Sequence, residues 1–151
     1  MTKNSLFNTP FEVALRLLVL MDKYGEPASI NLLTSLDLLC TYGKSYGITN
    51  TNLHGDNSYC FNEVSSRLSF VTGAIKYLVT HDYAKVHTDK GFRYSISSSG
   101  LLLLDTLESQ YIEDYEKEAT VVIECVKDKT EFEINKFINE KSKTLGGSTN
   151  E

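Results

Sequence analysis

Between Phe11 and Met21 the chain reads FEVALRLLVLM, a stretch in which only Glu12 and Arg16 interrupt apolar side chains. A helix this apolar is wetted along a narrow stripe and buried elsewhere, so the rest of the chain has to wrap around it. Its start is marked by Thr9-Pro10-Phe11-Glu12: Thr9 supplies the cap, Pro10 suits the first helical position and Glu12 completes a capping box. Gly25 and Pro27 end it. The run Leu17 to Met21 is far short of the roughly 20 apolar residues that span a bilayer, which excludes a transmembrane protein. The opening MTKNSLFNTPFE lacks the basic, apolar and small-residue regions of a signal peptide, so a cytoplasmic chain is expected.

Ser29 opens a second helix with Leu32, Leu33, Leu36, Leu39 and Cys40 on one face, and Gly43 is its natural stop. Residues 43–62 are rich in Gly, Asn, Ser and Thr, and read either as a contact surface or as an inserted loop without a role. A third helix is predicted over 64–81, where Leu68, Val71, Ile75 and Leu78 recur at steps of three and four; Arg67, Ser69, Thr72, Gly73, Lys76 and Thr80 form its outer face. Ala84 to Thr88 and Phe92 to Ser97 then alternate as short strands around Asp89-Lys90-Gly91. Helix, helix and hairpin is the order of a winged helix-turn-helix.

Ser97 to Ser99 caps a short helix carrying Leu101 to Leu104 and Leu107. From Tyr111 to Val126, Ile112, Tyr115, Ala119, Val122 and Val126 trace one face of a long amphipathic helix, packed on its own domain or on a partner. Thr130 and Glu133 cap a last helix with Ile134, Phe137 and Ile138 on its apolar side. The expected fold is mainly α, of the α+β class: a winged-helix domain over 6–107 with a two-stranded wing, an acidic helical extension over 108–143, and flexible termini at 1–5 and 144–151.

Charge is unevenly placed. Residues 1–107 hold nine Lys/Arg and nine Asp/Glu, whereas 108–151 hold six against eleven, so the tail carries the whole net charge of −5. The candidate DNA contacts are Arg67 and Lys76 on the third helix with Lys85, Lys90 and Arg93 on the wing, interleaved with Asp82 and Asp89. Such a set fits ordinary solubilising charge or weak contact through a larger complex better than the reading of an operator.

Signs of catalysis are missing. Gly43-Lys44-Ser45 resembles the end of a phosphate-binding loop, but Leu38 stands where the pattern needs glycine. The pairs His81-Asp82 and His87-x-Asp89 fall at element ends, where polar residues belong. Cys40, His54 and Cys60 lack paired zinc spacing; three cysteines without a C-x-x-C read as reduced thiols. Neither an enzyme, nor a metal or other cofactor, nor a small-molecule substrate is expected.

The opening Leu6-Phe7-Asn8-Thr9-Pro10-Phe11-Glu12, the Gly91-Phe92-Arg93-Tyr94 of the wing, and Leu107-Glu108-Ser109 followed by Tyr111 resemble the middle component of ABC-three component systems. The resemblance covers most of residues 6–127 and departs from the family pattern in the polar loop 43–62. It implies a non-catalytic adaptor in a bacterial operon, including the Lamassu type of anti-phage and anti-plasmid defence. The adaptor would dock on an SMC-like or ABC-type ATPase, with the ATP site and an effector nuclease or hydrolase on other chains. Phe7, Phe11, Tyr111 and Tyr115 are the candidate partner contacts, although each can equally close the domain's own core. The competing reading is a stand-alone winged-helix transcriptional regulator that binds DNA as a dimer.

Overall fold

The computed structural model describes residues 9–55 and 64–147. Phe7, Cys60, the second part of the polar loop and the tail segments 1–5 and 148–151 lie outside the described residues. Among the described residues the chain is mainly helical with one small antiparallel sheet: α1 (Pro10–Tyr24), α2 (Ile30–Thr41), α3 (Val64–Thr80), β1 (Ala84–His87), β2 (Arg93–Ile96), α4 (Ser98–Thr106), α5 (Gln110–Val126) and α6 (Glu131–Gly147). No helix of the described residues is long and apolar enough to cross a membrane.

Local signals set the helix ends. Thr9 caps α1, its Oγ1 accepting from the Glu12 N–H at 3.3 Å, and Gly25 ends the helix at φ 77°, a left-handed turn that glycine adopts without strain. Ser29, Ser97 and Ser109 cap α2, α4 and α5 in the same way. At α6 the capping box is reciprocal: Glu133 N–H donates to Thr130 Oγ1 and Thr130 N–H donates to Glu133 Oε1, both at 3.1 Å.

Val13 to Met21 are buried without a break, more than two turns with no wet side. The expectation of a solvated stripe through Arg16 is therefore corrected: Arg16 is fully buried, and the helix reaches solvent only at its two ends, Pro10 to Glu12 and Asp22 to Tyr24. α2, α3, α4, α5 and β2 all pack on α1, which makes it the central helix. Ile112, Tyr115, Ala119, Val122 and Val126 of α5 are buried as their spacing predicts, against α1 and α2. Ile134 and Ile138 of α6 join the same core, and α6 runs alongside α2, held by Ser29 Oγ to Glu131 Oε1 at 2.8 Å and Ser35 Oγ to Asn135 Oδ1 at 2.7 Å.

β1 and β2 pair in the register Ala84↔Ile96, Lys85↔Ser95, Val86↔Tyr94 and His87↔Arg93. The segment between α1 and α2 adds one rung on the other side of β2: Ala28 N–H donates to Tyr94 O at 2.9 Å and Tyr94 N–H donates to Ala28 O at 2.8 Å.

Candidate functional site

Packing of α1 on α2 brings Arg16 against Asp37, the lone cation and lone anion of two long apolar stretches. Asp37 is fully buried, and four hydrogen bonds converge on its carboxylate. Oδ1 accepts from Arg16 Nε at 2.9 Å and from the Tyr115 hydroxyl at 2.6 Å; Oδ2 accepts from Arg16 Nη2 at 3.0 Å and from Arg67 Nη1. The Arg16 contact is the bidentate fork that guanidinium geometry favours. Arg67 is turned inward as well, with its guanidinium 5.6 Å from the centre of the Tyr42 ring. Its assignment to the outer face of α3 is thus corrected, because a buried carboxylate draws it in.

The network continues outward. Arg16 Nη1 donates to the Tyr111 hydroxyl at 3.3 Å, and that hydroxyl is bonded in turn to His54 Nε2. Because a guanidinium only donates, Tyr111 accepts from Arg16 and directs its own proton to a neutral His54. The His54 ring also stacks on Tyr111 and meets Tyr42 edge-on. One cluster therefore ties the polar segment around His54 to α1, α2, α3 and α5.

Charge states follow from that setting. Burial alone would raise the Asp37 carboxyl, but the Arg16 and Arg67 charges with the Arg16 and Tyr115 hydrogen bonds outweigh it and hold it well below the usual carboxylate range. Burial, with Arg16 and Arg67 nearby, pushes His54 down to about 3, and burial lifts Tyr111 to about 12. Clustered perturbed groups are a common mark of active sites. Here the carboxylate is sealed and every oxygen is already engaged, so the cluster is suited to clamping elements together rather than to abstracting a substrate's proton.

The outer surface offers different chemistry. On the hairpin, Val86 and Tyr94 are paired and face α3, while Lys85, His87 and Arg93 alternate to the other side. Between α3 and the hairpin lies a groove of about 310 Å³, walled by Ile75, Val79, Val86, Phe92 and Tyr94 with Lys76 as its one cation.

The residues singled out from sequence are scattered over these two regions. Phe11 is 53% exposed at the start of α1. Tyr111 is half-buried with its hydroxyl in the network, and Tyr115 lies entirely in the interior on Asp37. Arg67 sits in the same cluster, Lys76 lines the groove, Lys85 and Lys90 are exposed, and Arg93 approaches Asp89 at 3.9 Å. Arg16, Asp37 and His54 were not read from sequence as partners of one another. A signal existed: one arginine and one aspartate, each alone in an apolar helix, have to find each other or remain unburied. Cys40 is buried and Cys125 exposed, both free, and among the described residues no three His, Cys, Asp or Glu side chains gather as a metal site would.

A family model described as ABC-three component (ABC-3C) system Middle Component 2 matches residues 6–148. No curated protein and no solved structure matches the chain.

Proposed function

We propose that this chain, which belongs to the Middle Component 2 family of ABC-three component systems, is a non-catalytic adaptor that holds the other two components of its system together. Those components are read as an SMC-like or ABC-type ATPase and an effector nuclease or hydrolase, in a cytoplasmic anti-phage or anti-plasmid defence complex of the Lamassu type. The observation that carries this reading is the extent of the family match, residues 6–148 of the 151 residues, so the relation concerns nearly all of this chain rather than one short motif.

The chemistry is consistent with an adaptor. Arg16, Asp37, Arg67, Tyr111, Tyr115 and His54 satisfy one another's hydrogen bonds, and large apolar side chains such as Phe11, Phe92 and Phe132 stand exposed on the surface. Helix, a bridge at Ala28, two helices and a hairpin is the element order of a winged helix, and we read the fold that way. On that reading Phe11 and the exposed edge of Tyr111 serve as partner anchors, and Lys85, Lys90 and Arg93 on the wing touch DNA only within the assembled complex.

The test is purification of the tagged full-length chain from its native cell at moderate salt, followed by mass spectrometry of what accompanies it. Recovery of a large ATPase in near-stoichiometric amount is the expected result. Recovery of the chain alone, or with DNA only, overturns the adaptor reading and moves the transcriptional regulator to first place.

A further inference from the structure

Phe132 and Phe92 are the most exposed large apolar side chains among the described residues, at 75% and 69%. The start of α6, which carries Phe132, lies beside the groove that Phe92 walls. Phe92 walls the groove together with Ile30; the neighbouring Ser29 bonds Glu131, the residue before Phe132; and the charges of Glu131 and Arg93 both reach Tyr24. Beside the groove, therefore, stands an aromatic ring that is left largely uncovered by the described residues.

The two features have opposite electrical settings. Phe132 is flanked by Glu131 and Glu133 at the acidic start of α6. Lys76 is the one charged residue lining the groove and has no ion-pair partner among the described residues. Residues 68–97, which form most of α3 and the hairpin, carry four Lys/Arg against two Asp/Glu, while residues 108–151 carry six against eleven. A surface that presents an acidic aromatic knob next to a basic apolar groove is complementary to itself.

We propose that a second copy of this chain docks here, the Phe132 ring of each copy entering the groove between α3 and the hairpin of the other, with the acidic start of α6 set against Lys76. A twofold contact uses knob and socket at once, and the Ser29–Glu131 bond sets the start of α6 beside Ile30 of the groove lining. The two copies of Phe132 and Phe92 together cover roughly 600–1,000 Å² at about 150–250 Å² per ring. That is below the roughly 1,200 Å² at which stable specific interfaces begin, so the association is weak and transient.

Sedimentation equilibrium of the full-length chain across low to high micromolar concentration tests the proposal. The expected result is a rise from 17.0 kDa toward twice that mass. Phe132→Ala and Lys76→Glu each weaken association by about tenfold or more, as truncation of an interface anchor does, with unchanged far-ultraviolet circular dichroism because both side chains are exposed. As a second readout, a photoreactive benzoylphenylalanine replaces Phe132 in a mixture of ordinary and ¹⁵N-labelled chains. The expected cross-links join chains of different label, from position 132 to peptides of α3 or the hairpin. A monomer at every concentration, association indifferent to both substitutions, or cross-links that land elsewhere or on another protein overturns it.

Discussion

At Asp37 four hydrogen bonds meet on two oxygens, and the Asp37→Asn substitution keeps the shape while removing the charge that holds Arg16 and Arg67 inside. Breaking a buried pair from one side leaves uncompensated charge, so the variant loses about 3–5 kcal/mol. Urea denaturation reads this as a lower midpoint, and a midpoint within error of the parent's disproves the account. His54 supplies a pH signature. Its folded value of about 3 lies below an unfolded value near 6.5, so the unfolded chain binds the extra proton between those limits and stability falls as pH drops through them. The chain is about 2 kcal/mol less stable at pH 5 than at pH 7 on this account. Asp37, depressed rather than raised, adds its own loss further down, as pH falls through the usual carboxylate range and beyond. His54→Gln flattens the slope between pH 5 and 7, and an unchanged slope in thermal melts at those two values removes His54 as its source.

Among the elements, α3 and α4 carry glycines of opposite meaning. Gly73 in α3 has open space where a Cβ would go, so Gly73→Ala gains about 1 kcal/mol from helix propensity alone. At Gly100 in α4 a Cβ would run into the Tyr83 carbonyl and lie 2.7 Å from Ile96 Cγ1, so Gly100→Ala loses about 1–3 kcal/mol. Paired chemical denaturation curves check both, and equal shifts refute the distinction. The elements themselves were legible because their determinants are local: the caps at Thr9, Ser29, Ser97 and Thr130 and the turn at Gly25 need only a few neighbouring residues. The orientation of Arg16 and Arg67 was not. Each depends on Asp37, 21 and 30 residues away in the chain, and helical periodicity carries no information about a partner on another helix. The groove was hidden for a related reason, since α3 and the hairpin wall it from separate segments, whereas Phe92 and Phe132 on their own look like ordinary apolar residues.

For the whole molecule, α5 is joined to the first helices as tightly as they are to each other. Tyr115 closes the bond network on Asp37, and Ile112, Val122 and Val126 fill the space against α1 and α2. A fragment ending at residue 107 strips that cover from the central helix and leaves Asp37 short of one donor. It is expected to show no cooperative melting transition, read by calorimetry beside the full chain. A sharp transition in the fragment instead establishes residues 6–107 as an independently folding domain.

The rung that Ala28 adds to Tyr94 has a further consequence for how this chain behaves when crowded. It occupies the outer side of β2, so the sheet of the described residues presents its open ladder along β1, four residues long with Lys85 within it. Short strands bearing lysine resist the edge-to-edge templating from which fibrils grow. The chain can thus display rings such as Phe92 and Phe132 for recognition while withholding the backbone template that would turn stickiness into amyloid.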